Sequence, residues 1–288
     1  MKLSVVIACY NGADLIGNQL QALANQSYLG SWEVIVSDNG STDESPRIVR
    51  EFAEKMDNLR LVDASDRRSR AHARNVGVAA ASGDAVLFLD HDDEVSPGYL
   101  SAMSAALSEH DFVAGRLETT KLNPAWVQKA RGRHPQTEGL MPYRYPPFLP
   151  HAGGCTLGFK RDLYEMVGGL DEGFATLDDT DFCFKAQLKG VSLHFVSDAV
   201  LHYRHRQTMR QLFRQASEYA EENVKLYKEY RHQGMPELHL RQGLHHWKRL
   251  LKSSVRVRDK GDLAGLVWGL GWRVGRVKGS VKNRVAAL

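Results

Sequence analysis

Val86-Leu87-Phe88-Leu89-Asp90-His91-Asp92-Asp93 is a short apolar run that stops at three carboxylates within four positions. Four apolar residues suit a buried strand. Carboxylates crowded at its tip repel and raise one another's pKa, so the arrangement calls for a cation. A hard divalent ion meets that need and leaves coordination positions open to substrate phosphates. A solvated acidic loop is the competing reading of the stretch taken alone.

The residues upstream repeat the same plan. Leu3–Ala8 is a β-branched run ending in the turn Tyr10-Asn11-Gly12, after which Leu15, Ile16, Leu20, Leu23 and Ala24 recur at helical spacing. Glu33–Val36 is a second strand, broken by Asp38-Asn39-Gly40-Ser41, and Ser41 or Asp43 can cap a helix running to about Met56. Leu59–Val62 is a third short strand, and Ala71–Ala81 is an Ala-rich helix leading into Val86. Alternating strands and helices predict an α/β, doubly wound sheet. Such sheets bind ligands at the carboxyl ends of their strands. Tyr10-Asn11, Asp38-Asn39 and Asp90–Asp93 are therefore expected along one sheet edge.

Composition narrows the class. Of 288 residues, 43% are hydrophobic and 25% charged, as in an ordinary soluble globular protein. Cys9, Cys155 and Cys183 form neither a disulfide framework nor a CxxC pair, which suggests a reducing compartment. The start, Met1–Ala8, lacks signal-peptide anatomy, and Leu263–Trp272 is only about half of the ~20 apolar residues a bilayer span needs. Charge is split along the chain. Residues 204–288 hold 19 Lys and Arg against 7 Asp and Glu, a net +12, which leaves −8 on the rest. An acidic body with a basic end does not describe a nucleic-acid binder, and Trp247, Trp268 and Trp272 follow helical spacing rather than a base-stacking array. A nucleotidyltransferase would carry a glycine-rich phosphate loop near its start, which Cys9-Tyr10-Asn11-Gly12 is not.

From Thr119 to Pro150, six prolines rule out long elements, while Trp126, Tyr143, Tyr145 and Phe148 supply aromatic surface. A strand (Gly154–Lys160), a short helix (Arg161–Val167), a helix (Asp178–Leu188) and a strand (Leu193–Tyr203) are expected next, with helices beyond Arg204.

Four signals occur in order: Ser4–Asn11; Val34–Asp43; Ala73-Arg74-Asn75-Val76-Gly77 leading into Asp90-His91-Asp92-Asp93; and Gly168-Gly169-Leu170-Asp171-Glu172 leading into Asp178-Asp179-Thr180-Asp181. Together they strongly resemble the family 2 glycosyltransferases, inverting enzymes of the nucleotide-diphospho-sugar-binding GT-A fold. The resemblance covers about residues 3–205. It implies a GT-A type, Rossmann-like mixed sheet over 1–205, with a nucleotide-binding half to about 95, an acceptor half over 96–205, and a basic helical C-terminal extension over 206–288. It also implies a metal-dependent transfer of a sugar from a nucleotide-diphospho-sugar to an acceptor hydroxyl by direct displacement.

By that resemblance Ala8, Tyr10 and Asn11 belong to the substrate-binding site, Asp38 contacts the nucleoside, and Arg70 and Arg74 face the pyrophosphate. Asp90 and Asp92 grip Mn²⁺ or Mg²⁺ and the ribose, and His202 completes the metal site as in some relatives. Asp93 is then either a supporting residue or the cap of the helix after Pro97. Asp178-Asp179 corresponds to an acidic pair, usually Glu-Asp, whose second member is the catalytic base; this makes Asp179 the base, with Asp178 one methylene short of the usual residue. The same carboxylates also suit a helix N-terminus. Gly153-Gly154 would let backbone approach the donor sugar or acceptor. UDP- or dTDP-sugars are favoured and GDP-sugars left open. The acceptor is a glycan, a lipid-linked molecule or a small molecule. The expected location is cytoplasmic. Leu263, Leu266, Val267, Leu270, Val274, Val277, Val281 and Val285 draw an apolar stripe within 263–285 that suits either peripheral contact with an anionic membrane or close helix packing through the interleaved glycines.

Overall fold

The computed structural model describes residues 1–238, 247–248 and 250–287. They form two compact units: residues 1–118, 135–141 and 150–203, and residues 119–134, 142–149 and 204–288. Two pieces of the Pro-rich segment, 119–134 and 142–149, group with the C-terminal helices.

The first unit is built on an eight-stranded sheet. Its strands are β1 (Leu3–Cys9), β2 (Trp32–Asp38), β3 (Leu59–Asp63), β4 (Ala85–Asp90), β5 (Glu94–Val95), β6 (Phe112–Glu118), β7 (Leu157–Lys160) and β8 (His194–His202), in the order β3-β2-β1-β4-β7-β6-β8-β5. The four strands β3, β2, β1 and β4 are parallel, whereas β7 runs antiparallel to both β4 and β6. Strand β1 is buried at every position, which is why it reads as a continuous apolar run. Its alternate residues enter two cores. Leu3, Val5 and Ile7 pack with α1 (Ile16–Ala24), α2 (Ser45–Ala53) and α4 (Tyr99–Glu109). Val6 packs with Phe88, Phe159 and residues of α3 (Arg70–Ala80), α6 (Arg161–Val167) and α7 (Asp178–Leu188) on the other face. The strand expected from Gly154 starts at Leu157, because Gly154–Thr156 make a 3₁₀ turn first. Strand β6 was passed over in sequence, its apolar pattern being interrupted by Gly115 and Arg116.

In the second unit, α5 (Ala125–Arg131) and α8 (Met209–Tyr230) accompany a long helix, α9 (Lys260–Asn283). Helix α9 packs on α8 through glycines. A Cβ would lie 2.5 Å from the Phe213 carbonyl oxygen at Gly271, 2.1 Å from that of Ser217 at Gly275, and 2.8 Å from that of Glu221 at Gly279. Each glycine weakens a helix by about 1 kcal/mol relative to alanine. Here they permit backbone-to-backbone approach at matched four-residue steps along both helices. The packing face is thus the glycine face, and the apolar stripe lies outward, with Leu263, Leu270, Val277 and Val281 exposed. The tryptophans point away from that stripe: the Arg131 guanidinium stacks 3.3 Å from the Trp268 ring centre, and Trp272 meets Tyr145. No described helix is long and apolar enough to cross a membrane.

Candidate active site

Register places the expected residues side by side. Ala8 pairs with Asp90 on one flank and Ser37 on the other, and Cys9 pairs with Asp38. Asp38 accepts hydrogen bonds from the Ser41 amide (3.2 and 3.4 Å), so it caps its turn while standing at the strand end. Asn11 adopts a left-handed backbone and accepts from the Thr42 amide at 2.8 Å, tying the loop after β1 to the loop after β2. The Arg68 guanidinium lies 3.9 Å from the Tyr10 ring centre.

Arg74 is wholly buried. Its guanidinium bridges Asp90 (2.7 Å) and Asp178 (3.3 Å), and Arg70 ion-pairs with the other oxygen of Asp178. Arg74, expected to face the pyrophosphate, here joins the tip of β4 to the start of α7. Arg70, at the helix start and partly exposed, keeps a face to solvent. Gly154 is a glycine because of Arg74, since a Cβ there would lie 2.3 Å from Nη1.

The two carboxylates at the start of α7 are driven apart. Burial raises the pKa of Asp178, but Arg70 and Arg74 outweigh it and hold the group below its ordinary value. Asp179 goes the other way: burial and the adjacent Asp178 charge raise its pKa, against the opposing pull of Arg70, Arg74 and the Gly154 amide. Asp179 accepts from the Gly154 amide and from the Thr180 amide, both at 2.7 Å, and remains partly exposed. Leu177, just before the pair, is held at a positive φ of 61°, a costly conformation for leucine that sets the entry to α7.

Past β4, the chain turns at His91-Asp92 and bends at Asp93, whose carboxylate is tucked in rather than capping a helix; Gly98 precedes α4. Ligand atoms of Asp90, Asp93 and Cys155 converge within 4.8 Å of one another. Burial pushes the Cys155 thiol well up, so it stays protonated and suits a hard cation poorly. Asp92 and His202, expected beside Asp90, stand outside this group. The Nδ1–H of His202 donates to Glu118 at 2.8 Å, which leaves Nε2 as the ring's lone-pair atom. Pairing of β5 with β8 sets it opposite Glu94, two positions after Asp92. Carboxylates with one imidazole are a donor set that fits Mn²⁺ or Mg²⁺.

Several residues of this region carry contacts to which the sequence assigns no role. His91 donates from Nδ1 to the Ala8 carbonyl (3.2 Å) and lies so close to Gly12 that a Cβ there would fall 2.3 Å from its ring. Gln136 is buried and accepts from the Gly153 amide at 2.8 Å. Asn75 donates to the Leu170 carbonyl and Glu172 and accepts from the Leu170 amide, joining two of the four motifs. None of these contacts leaves a periodic trace.

A sequence model described as glycosyl transferase family 2 matches residues 4–168. Glycosyltransferase AglE of Haloferax volcanii is 29% identical over 201 residues, 69% of this chain and 65% of that protein. Poly(ribitol-phosphate) beta-N-acetylglucosaminyltransferase TarS of Staphylococcus aureus is 34% identical over 191 residues, 66% of this chain and 30% of its own. The chain spans less than two thirds of the length of the curated relatives it matches first. Among solved structures, mannosyltransferase PcManGT of Pyrobaculum calidifontis, in complex with GDP-Man and Mn²⁺, superposes with a TM-score of 0.66 at 21% identity, covering 98% of this chain and 86% of that one. S. aureus TarS 1–349 in complex with UDP-GlcNAc gives 0.57 at 19% identity, covering 99% and 93%. With a GT-A fold and a family match over more than half of its length, the chain belongs to glycosyl transferase family 2.

Proposed function

We propose that this glycosyltransferase moves a sugar from a nucleotide-diphospho-sugar to an acceptor hydroxyl with inversion, using a divalent cation and Asp179 as general base. The observation that carries the reading is the divided carboxylate pair. Two adjacent acids whose environments push their pKa values apart mark distinct roles. Asp178 is the ion-pair partner of Arg70 and Arg74, and Asp179 is the proton acceptor, with both oxygens oriented by backbone amides. Inversion needs such a base opposite the leaving group. Asp90, Asp92 or Asp93, and His202 would hold the cation, and Arg70 would meet the diphosphate. A bound divalent cation neutralises the charge that builds on a departing nucleoside diphosphate. The donors in the neighbouring structures, GDP-Man and UDP-GlcNAc, support a nucleotide-sugar donor and leave its base open.

The test is thermal unfolding with UDP, dTDP or GDP, each with Mn²⁺ and with chelator. A ligand at a hundredfold its Kd adds about 2.7 kcal/mol of stability. One nucleotide should raise the melting temperature with Mn²⁺ and much less with chelator. Equal shifts in both would remove the cation from the proposal.

The same proposal gives α9 an address at an anionic membrane. Its outward stripe is apolar, and from Leu263 onward the sequence holds no Asp or Glu, while Arg273, Lys278, Lys282 and Arg284 keep exposure to solvent. Each basic residue near an anionic surface adds about 1 kcal/mol. Replacing Leu270 and Val281 together by Glu spares the glycine face and should abolish sedimentation with phosphatidylglycerol vesicles at low salt. Unchanged sedimentation would count against the membrane address.

A further inference from the structure

Asp179 is aimed by a turn of two glycines, and that turn is itself gripped from behind. The Gly153 carbonyl and the Gly154 amide belong to one rigid peptide plane. The amide end donates to Asp179 at 2.7 Å, while the carbonyl end accepts from the Thr156 hydroxyl at 2.9 Å and the Thr156 amide at 3.0 Å. The peptide before it is held too, since the Gly153 amide donates to Gln136 Oε1 at 2.8 Å. Gln136 Nε2 in turn donates to the Thr156 hydroxyl oxygen (2.6 Å) and to the Gly115 carbonyl of β6 (2.9 Å). Gln136 and Thr156 are both wholly buried. The pattern fixes which way the glutamine amide points. The one hydroxyl proton of Thr156 goes to Gly153, so its oxygen accepts from Gln136, as the Gly115 carbonyl does; the nitrogen faces both, and the oxygen is left for the Gly153 amide. Two glycines in succession hold an amide in one direction only under such restraint, because glycine has the most conformational freedom to lose. A stiffer residue cannot replace Gly154, where Arg74 already occupies the space of a Cβ.

We propose that Gln136 and Thr156 are positioning residues for the transfer reaction, clamping the Gly153-Gly154 peptide so that its amide directs the Asp179 carboxylate toward the acceptor hydroxyl. The proposal rests on the reading of Asp179 as general base. Both residues act through the backbone: Thr156 sets the tilt of the peptide plane, and Gln136 anchors the residue before it. A hydrogen bond to a carboxylate favours its ionised form. The Gly154 amide is one of the pulls that oppose burial and the Asp178 charge at Asp179, beside Arg70 and Arg74. The buried thiols of Cys155 and Cys183 also face this carboxylate, and burial holds both protonated. Loss of the clamp lets the peptide rotate and weakens the bond from Gly154. Asp179 is then both misdirected and harder to ionise.

The test uses the full chain labelled with aspartate carrying ¹³C at the side-chain carboxyl, and follows by NMR the resonance that Asp179→Asn removes. Gln136→Met keeps the length of the side chain and removes both ends of its amide. Thr156→Val removes the hydroxyl and keeps the shape, whereas Thr156→Ser keeps the hydroxyl. Asp179 should titrate at a higher pH in Gln136→Met and in Thr156→Val than in the wild type, and at the wild-type pH in Thr156→Ser. With the donor whose nucleotide stabilises the chain, kcat of Gln136→Met should fall about ten- to a hundredfold while the donor KM stays near wild type, the scale of loss for a displaced catalytic group. An unmoved Asp179 resonance in folded Gln136→Met and Thr156→Val overturns the proposal, and so does a Thr156→Ser that shifts as far as Thr156→Val. Where Gln136→Met fails to fold, Thr156→Val decides; unfolding of both would make the pair structural only and overturn the proposal as well. A resonance that moves as expected, beside an Asp179→Asn that keeps near-normal turnover, would leave the clamp standing and remove the general-base reading instead.

Discussion

Asp179→Asn lowers kcat by roughly 10²–10⁴-fold and leaves nucleotide affinity close to wild type, as expected when a general base is lost and binding is not. The amide keeps the size of the side chain but has one acceptor oxygen where the carboxylate uses two, so it serves only one of the Gly154 and Thr180 amides, and a melting curve of the variant checks that the start of α7 holds its shape. The pH profile adds a second signature. Asp179 must be ionised to take a proton, and its pKa is raised by burial and by Asp178. The acid limb of kcat/KM should therefore fall at a pH above the ordinary carboxylate range, and that limb should vanish in Asp179→Asn. Near-normal turnover in this variant, with loss in Asp181→Asn instead, would move the base to the next acid along the helix.

Arg74→Met destabilises the protein by about 3–5 kcal/mol, because it removes the buried cation shared by the buried Asp178 and the partly exposed Asp90. Lysine should not rescue it, since one ammonium cannot span Asp90 and Asp178 as the guanidinium does. The sign of the pH dependence follows from the carboxylates. Both are held below their ordinary pKa, Asp90 by Arg74 and Arg70 against its burial and Asp178 by the same two arginines against its own. Their contribution is complete above the ordinary carboxylate pKa and is lost as pH falls through the lowered values. The deficit of Arg74→Met should thus be largest at neutral pH and shrink in acid. Denaturant midpoints at neutral and acidic pH measure it, and a loss under 1 kcal/mol at pH 7 would sink the account.

The sheet was legible because buried parallel strands spell themselves out. Leu3–Cys9 and Ala85–Asp90 are apolar but for Ser4 and the terminal Asp90 and end in polar turns, so both the elements and the edge they share follow from pattern alone. The paired acids of α7 were legible too, as residue types in a recognisable order. What was not legible is which charges meet. Arg70 and Arg74 look equivalent on one helix, four residues apart, yet one keeps a solvent face and the other is sealed by Asp90, Asp178 and Gly154. That distinction depends on α7, which arrives 104 residues after Arg74. The same holds for the Pro-rich segment. Its 142–149 piece carries no periodicity, and only the fold brings Tyr143 to Asn223 and Tyr145 to Trp272. The glycines of α9 were ambiguous for another reason: a four-residue repeat records that something approaches closely, and it was α8 that identified the partner.

His91 sits between the acids of the β4 turn but reaches away from them, to the Ala8 carbonyl and against Gly12. The end of β1 and the carboxylate turn are thereby one mechanical piece. If an occupant of the β1 rim changes the affinity of an ion at the carboxylates through this ring, thermodynamic reciprocity requires that the ion change the occupant's affinity by the same factor. The two need not touch for this to hold.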